Sequence, residues 1–218
     1  MKTIIYYTAN REDPEFEKKV AEGIREASGG LPIISVSQKP MDFGENYCVG
    51  DVGQTYLNAF RQLLIGCKMA TTEYVIMTES DCLYPPEYFS YTPTDPNVIY
   101  TYDNVWIMWK NGADKFYRKE QTHASIIYGR EFIIDLLENH SFVGKPIWSR
   151  TKVNFPFYTS QHKFVSFTGR PIINMKTGNG VQKGTRLMPD IAPRDSFDYW
   201  GTARQVKERM FGYAKIYR

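Results

Sequence analysis

Apolar residues in the first 80 positions alternate between short continuous runs and stretches of helical periodicity. Three of the runs predict buried strands, at Thr3–Thr8, Pro32–Ser37 and Glu73–Thr78. The stretches between them predict two amphipathic helices, one starting at Asp13-Pro14 and one running from about Gln54 to Ala70. This strand–helix–strand–helix–strand order predicts an α/β fold with a mostly parallel sheet.

The second half of the chain is less regular. Its strand candidates are Asn97–Tyr100, Val105–Trp109, Ala124–Tyr128, Phe164–Phe167 and Pro171–Met175, and its helix candidates are Glu131–Asn139 and Ser196–Met210. We expect the last two strands to pair antiparallel at an edge, and the final helix to begin beside Asp195. Neither an internal repeat nor a linker divides the sequence, which predicts a single domain over residues 1–218.

Polar residues follow each of the first three predicted strands, at Thr8–Arg11, Ser37–Lys39 and Glu79–Asp81. The carboxyl ends of parallel strands meet at one edge of a sheet, and ligands of such sheets bind there. The three segments therefore predict one crevice.

Glu79-Ser80-Asp81 places two carboxylates on the same side of the chain, because side chains alternate along a strand. Such carboxylates repel each other unless a cation lies between them, and oxygen ligands favour Mg²⁺ or Mn²⁺ over Zn²⁺. The alternative is a strand that ends in a solvated turn, which Tyr84-Pro85-Pro86 would continue.

Composition excludes several classes of protein. The chain is 42% hydrophobic and 15% aromatic, which excludes wholesale disorder. No apolar run reaches the roughly 18–20 residues that span a bilayer, and the apolar N-terminal stretch is too short for a signal peptide. The three cysteines are widely spaced, which predicts neither a disulfide framework nor a zinc site. We expect a cytoplasmic protein without a membrane partner.

The net charge of +3 hides an asymmetry along the chain. Residues 1–140 hold 13 basic and 20 acidic side chains, whereas residues 141–218 hold 14 basic and 4 acidic ones. The basic C-terminal region suits an anionic partner.

The order of these features resembles that of the nucleotide-sugar glycosyltransferases of the GT-A fold, above all their family-2-like members. The residues that carry the resemblance are Thr8-Ala-Asn-Arg11 after the first strand, Asp51-Val-Gly53, Asn58 and Arg61 on the long helix, and Glu73-Tyr-Val-Ile-Met-Thr-Glu-Ser-Asp81. The similarity covers roughly residues 3–90. It implies a GT-A-like three-layer sandwich with a nucleotide-binding half at residues 1–90 and an acceptor-binding half at residues 91–218.

The resemblance also implies roles for individual residues. The nucleotide-sugar donor would be held by residues at strand ends and on the long helix: Thr8, Asn10, Arg11, Gln38, Lys39 and Arg61. Glu79 and Asp81 would carry Mn²⁺ or Mg²⁺, with Asp81 as the direct ligand. The sequence departs from the family after the second strand, where residues 35–39 replace the usual acidic pair.

Members of this fold often add a late histidine ligand and a loop that covers the donor diphosphate. His162 has the expected location for that ligand, and residues 176–186 have that expected for the loop. Three glycines in the loop permit close backbone approach, and Lys176, Lys183 and Arg186 offer charge to phosphate. The alternatives are a surface histidine and a solvated hairpin.

An inverting member of this family needs a base that takes the proton of the acceptor hydroxyl. Glu120 and His123 lie in the segment that corresponds to the acceptor site, and Asp135 and Glu138 are the alternatives.

The function expected from these features is transfer of a sugar from a nucleotide-sugar, a UDP-sugar above all, to a hydroxyl. The basic C-terminal region favours DNA as acceptor, as in phage-type enzymes that glycosylate hydroxymethylated pyrimidines. We therefore expect the protein in the cytoplasm of a bacterial or phage-infected cell. A saccharide or a cell-surface polymer is an alternative acceptor. Two different functions also stay open. The first is a sugar-phosphate nucleotidyltransferase, although residues 8–13 lack the glycine-rich loop of such enzymes. The second is a non-catalytic module that binds nucleic acid or carbohydrate.

Overall fold

The computed structural model describes residues 1–120, 124–154, 162–181 and 184–212. Its strands are β1 (Lys2–Thr8), β2 (Ile33–Ser37), β3 (Glu45–Cys48), β4 (Tyr74–Glu79), β5 (Cys82–Leu83), β6 (Ile99–Tyr102), β7 (Val105–Trp109), β8 (Tyr117–Arg118), β9 (Ile126–Gly129), β10 (Phe164–Phe167), β11 (Ile172–Lys176), β12 (Ser196–Phe197) and β13 (Gly201–Thr202). Its helices are α1 (Pro14–Ala27), α2 (Tyr56–Met69), α3 (Pro86–Ser90), α4 (Arg130–Asp135), which continues as a π-helix over Leu136–Ser141, and α5 (Ala203–Phe211).

The main sheet has seven strands in the order β10-β6-β9-β4-β1-β2-β3. β1 pairs parallel with both β2 and β4, and β2 pairs parallel with β3. β9 pairs antiparallel with its neighbours β4 and β6, so it alone reverses the common strand direction of this sheet. The predicted α/β class with a mostly parallel central sheet is confirmed.

Helices cover both faces of this sheet. The side chains of its central strand β1 alternate between the two faces, and apolar residues point to each of them. Ile4 and Tyr6 of β1 pack into the core that contains Phe16 of α1. Ile5 packs on the opposite face, against α2. A Cβ added at Gly66 of α2 would lie 2.5 Å from Cγ2 of Ile5, so this glycine permits the close approach of helix and sheet.

A second sheet, of order β5-β11-β7-β8, lies beside the carboxyl end of β4. β11 pairs antiparallel with β5 and parallel with β7. The main-chain N–H of Met175 donates to the carbonyl of Asp81 at 2.7 Å, which joins β11 to the turn after β4. This sheet therefore brings the end of β11, at Lys176, close to that turn.

Two predictions for the second half were wrong, and one strand of the first half was not predicted. Phe164–Phe167 pairs parallel with β6, not antiparallel. The final helix begins at Ala203 rather than beside Asp195, because Thr202 and Gln205 form a capping box there and Ser196–Phe197 pairs as a strand. The edge strand β3 was not expected, since its half-exposed polar sequence carries no apolar signal.

Within the described ranges, no helix is both long enough and apolar enough to cross a membrane.

Candidate active site

A cleft of about 1030 Å³ opens at the carboxyl ends of β1, β2 and β4. The three predicted strand-end segments all contribute to its lining, with Thr8 and Arg11 at the end of β1, Gln38 after β2, and Glu79 with Asp81 at the end of β4. The strand ends are level because β1 pairs in register with both neighbours, Thr8 opposite Ser37 and Tyr7 opposite Glu79. The predicted crevice is therefore present, at the edge where parallel sheets bind their ligands.

The carboxylates of Glu79 and Asp81 lie together with the thiol of Cys82. One ligand atom of each lies within 4.8 Å of the other two. The turn that carries them is fixed by hydrogen bonds. The N–H of Glu79 donates to the Tyr84 hydroxyl at 2.9 Å, and that hydroxyl donates to the carbonyl of Ala124 at 2.8 Å. The turn is thus an ordered part of the site.

The electrostatics of Glu79 favour a cation. Burial raises the pKa of Glu79, and the neighbouring charge of Asp81 raises it further. The Tyr7 hydroxyl, which donates to Oε1 of Glu79 at 2.8 Å, lowers the pKa again. Two carboxylates held this close in a partly desolvated place are stabilised as anions by a positive charge between them.

Cys82 does not change the hard-ligand character of this group. Burial raises the pKa of its thiol well above the ordinary value, with the charge of Asp81 as the next cause. The thiol accepts from Nδ2 of Asn174 at 3.1 Å and donates to Oδ1 of Asp81 at 3.4 Å, so its hydrogen bonds are made within the protein. The donor set that remains is carboxylate oxygen, which fits Mg²⁺ or Mn²⁺.

Basic side chains line the same cleft as the carboxylates. They include Lys119, Lys176 and Arg186. Burial lowers the pKa of Lys119, and the nearby charge of Lys176 lowers it further. Glu79, Asp81 and Cys82 act in the opposite direction on this pKa, so the lysine lies within electrostatic reach of the carboxylates. The cleft combines a site for a cation with a lining suited to an anion.

Asn10 joins the ends of two strands. Its Oδ1 accepts from the main-chain N–H groups of Gln38 at 2.9 Å and Lys39 at 2.8 Å. Its Nδ2 donates to Oε2 of Glu17 at 3.3 Å. Asn10 has φ of 50°, a left-handed conformation that asparagine tolerates. Neither Asn10 nor the exposed Lys39 lines the cleft, so Asn10 acts indirectly, by holding the main chain at Gln38 and Lys39.

Gln38 presents a hydrogen-bond acceptor without a partner. Its side chain is 5% exposed, lines the cleft and donates from Nε2 to the carbonyl of Gly53 at 2.8 Å. Because that bond requires the amide nitrogen, the amide orientation is fixed. Oε1 is buried with no hydrogen-bond partner. An N–H or O–H group of a ligand would satisfy it.

Arg11 and Arg150 share one carboxylate at the rim of the cleft. Arg11 lies 2.9 Å from Oδ1 of Asp51, and Arg150 lies 3.5 Å from Oδ2. The guanidinium of Arg150 also donates to the carbonyl of Asp51 at 2.6 Å. Together with Lys152, these arginines add further positive charge to the lining.

Two residues of the long helix serve the structure around the cleft. The amide of Asn58 donates to the carbonyls of Val52, Gly53 and Ser149 at 2.7–2.9 Å, which closes residue 149 onto the start of α2. Arg61 lies outside the cleft lining. Its guanidinium packs over the ring of Phe142 at 3.7 Å and donates to the carbonyl of Pro146 at 3.0 Å. The expectation that Arg61 binds the donor is not supported by this position.

Replacing Arg61 by methionine is expected to lower stability by about 1 to 2 kcal/mol, because the stacking and carbonyl contacts are lost. The affinity for a nucleotide should stay within about twofold, since Arg61 lies outside the cleft. Urea denaturation and nucleotide titration measure the two quantities. A nucleotide affinity that falls tenfold at unchanged stability would restore the donor-binding role.

The structure places His162 away from the carboxylates. Its ring packs edge-on against Phe132, with centroids 4.9 Å apart. Phe132 lines a different cavity together with Glu73, which precedes β4, whereas Glu79 ends that strand and Asp81 follows it. A strand of six residues separates these two edges by roughly 20 Å. The structure therefore does not bring His162 to the carboxylates of Glu79 and Asp81.

Acidic candidates for the catalytic base also lie outside the cleft lining. Glu120 is exposed, and its main-chain N–H donates to the carbonyl of Arg186 at 3.1 Å. Asp135 accepts from Asn139 at 2.7 Å, and Glu138 pairs with Lys68. His123 and the basic Lys183 lie outside the described residues, so their roles stay predictions.

The cleft also contains residues that the sequence did not single out for this site. Glu12, Tyr7, Lys119, Arg150 and Lys152 all line it. Glu12 directly follows the Asn-Arg of the first strand end, and this adjacency was a signal that could have identified it. Nothing local marked Tyr7, because a tyrosine within an apolar strand is ordinary core.

No model of a known protein family matches the chain, and no curated protein matches it significantly. Solved structures do match. TarS from S. aureus aligns at 10% identity and a TM-score of 0.46, covering 81% of this chain and 36% of TarS. The mannosyltransferase PcManGT from Pyrobaculum calidifontis was solved with GDP-Man and Mn²⁺. It aligns at 15% identity and a TM-score of 0.45, and the alignment covers 79% of this chain and 56% of the mannosyltransferase.

The inositol-1-phosphate CTP transferase from T. maritima aligns at 9% identity and a TM-score of 0.49, covering 81% of this chain and 90% of that enzyme. The chain thus spans only 36% of TarS and 56% of the mannosyltransferase. At these identities the function has to be argued from the cleft itself.

Proposed function

We propose that the protein is a metal-dependent glycosyltransferase that uses a nucleotide-sugar donor. The observation that carries this proposal is one cleft in which the carboxylates of Glu79 and Asp81 lie beside basic side chains. A nucleotide-sugar needs both, because its diphosphate is an anion that binds a divalent cation and leaves with additional charge. The resemblance of residues 3–90 to GT-A glycosyltransferases points to the same chemistry.

Glu79 and Asp81 would hold the metal ion, which when bound polarises the diphosphate oxygens. Lys119, Lys176 and Arg186 would stabilise the negative charge that develops as the bond between the sugar carbon and the diphosphate breaks. The acceptor hydroxyl forms the new bond to that carbon and gives its proton to a base. His123 remains the proposed candidate for that base, and Glu120, whose neighbour Lys119 lines the cleft, is the proposed acidic alternative.

Gln38 and Arg11 would contact the nucleoside. The unpartnered Oε1 of Gln38 accepts from an N–H or O–H group, and Arg11 donates. A UDP-sugar is the proposed donor, since uracil offers one imide N–H between two carbonyl oxygens. Thr8 lines the same end of the cleft and is proposed as a further contact.

Hydroxymethylated pyrimidine in DNA is the proposed acceptor. In support, the basic residues Arg150 and Lys152 of the C-terminal region line the cleft. Other basic residues of this region are engaged within the protein, such as Arg170 with Glu87 and Lys207 with Asp114 at 2.8 Å. Arg150 is itself paired with Asp51, whereas Lys152 lines the cleft and forms no ion pair among those that the structure describes.

The proposal is tested by incubating the protein with Mn²⁺ and a panel of UDP-, GDP- and other nucleotide-sugars, with and without hydroxymethylated DNA. We expect release of the nucleoside diphosphate from one donor, stimulated by the correct acceptor. Lack of turnover with every donor, at full occupancy by Mn²⁺, would contradict the glycosyltransferase function. Pyrophosphate release from a nucleoside triphosphate and a sugar phosphate would show a nucleotidyltransferase instead.

DNA binding has its own measurement. Contacts with phosphates release counterions, so the affinity for DNA should fall steeply between 50 and 200 mM salt, by roughly tenfold or more for every few contacts. An affinity for DNA that does not respond to salt would reject this acceptor and leave saccharides and polymers to be tested.

A further inference from the structure

Residues 177–181, here called the strap, follow β11 and connect two sides of the cleft. On one side the strap contacts Glu12, which follows β1. On the other side the carbonyl of Asn179 accepts from Nε2 of Gln54 at 2.6 Å, just before α2. The strap is thus tied to two segments that line the cleft, one at Glu12 and one at Gln54.

Glu12 holds the strap through both of its carboxylate oxygens. Oε1 accepts from the hydroxyl of Thr177 at 2.8 Å, and Oε2 accepts from Nδ2 of Asn179 at 3.4 Å. Within the strap, the N–H of Asn179 donates to the same Thr177 oxygen at 3.2 Å. Gly178 has φ of 93°, a conformation that a side chain would disfavour, and this allows the chain to turn back toward Glu12.

The strap also approaches the metal carboxylates. A Cβ built on Gly180 would lie 4.0 Å from Oδ2 of Asp81. Lys176, which immediately precedes the strap, lines the cleft, as do Gly180 and Val181. Any displacement of the strap therefore moves groups that border Asp81.

We propose that Glu12 is a positioning residue that fixes the strap, and through it Lys176 and the main chain of Gly180, beside Asp81. The inference rests on the proposed function in one respect: the bound diphosphate is what these groups would contact. Glu12 itself touches neither the sugar nor the metal in this role. A carboxylate is suited to it, because one side chain accepts from a hydroxyl and an amide at the same time.

The test compares Glu12→Ala and Glu12→Gln with the wild type, and uses Glu22→Gln as the matched control. Glu22 is an exposed carboxylate on α1, paired only with Lys18 at the surface among the contacts that the structure describes. Amide hydrogen exchange of residues 177–181 is measured on the protein without ligand. We expect faster exchange in Glu12→Ala, an intermediate rate in Glu12→Gln, which keeps one acceptor oxygen, and the wild-type rate in Glu22→Gln.

Steady-state kinetics supply the second measurement. Loss of the strap contacts should raise the KM for the donor about tenfold with little change in kcat, since such hydrogen bonds are worth roughly that factor. Unchanged exchange of the strap in Glu12→Ala overturns the inference, and so does a fall in kcat at constant KM. If no nucleotide-sugar reacts, the proposed function fails, and the exchange measurement still decides whether Glu12 holds the strap.

Discussion

Replacing Asp81 by asparagine is expected to reduce turnover of the nucleotide-sugar by about 100-fold or more, because one anionic metal ligand is lost. Asp81, Glu79 and Cys82 form the only cluster of three potential metal ligands found among the described residues. The substitution removes one negative charge and keeps the shape of the side chain. Stability should hold or rise slightly in the absence of metal, since the repulsion from Glu79 is relieved.

The measurements are nucleoside diphosphate release at saturating Mn²⁺ and binding of Mn²⁺ alone. Asp42→Asn is a suitable control, because Asp42 is exposed and does not line the cleft. Wild-type activity of the Asp81→Asn protein at limiting Mn²⁺ would remove Asp81 from the metal site. If Asp81→Asn binds the nucleotide as tightly as the wild type in the absence of Mn²⁺, the loss of turnover is due to weaker metal binding.

Replacing Glu17 by alanine is expected to lower the free energy of unfolding by about 3 kcal/mol, since buried donors lose their acceptor. Glu17 is only 6% exposed although it lies on a helix. Its carboxylate accepts from the hydroxyl of Tyr6 at 3.0 Å, from that of Thr8, and from Nδ2 of Asn10 at 3.3 Å. These residues belong to β1 and to the loop that leads into the cleft.

The loss should extend to function, because Asn10 anchors the end of β2 through the N–H of Gln38. We expect weaker nucleotide binding at temperatures where the variant is still folded. Chemical denaturation and nucleotide titration measure both effects. Glu26→Ala, at an exposed position of the same helix, provides the comparison. An equal loss of stability in both variants would show that only helix propensity is involved.

Local pattern was sufficient for three strands and two helices of the first half of the fold, though not for the edge strand β3. Continuous apolar runs predicted β1, β2 and β4 to within a few residues, and Asp13 does cap α1 by accepting from the N–H groups of Glu15 and Phe16. The position of the cleft followed, because parallel strands place their carboxyl ends at one edge. Glu79 and Asp81 were found in this way, since both the strand and its acidic ending are contiguous in sequence.

Contacts between distant segments explain what the sequence did not predict. Glu12 meets the strap 165 residues later, through Thr177. Arg61 and His162 had suitable residue types at suitable places in the order of the chain, yet they pack on Phe142 and Phe132. A residue type and a chain position do not specify which edge of the sheet a side chain will occupy.

The sequence by itself determined the α/β class, the edge of the sheet that carries the site and the carboxylates at the end of β4. The tertiary structure decided which basic and acidic groups join them. Among the basic residues of 141–218 that the structure describes, some form internal pairs, such as Lys207 with Asp114, and others, such as Lys176 and Arg186, line the cleft. Periodicity is a local property of the chain, whereas the electrostatics of a cleft depend on which distant side chains the packing of two sheets brings together.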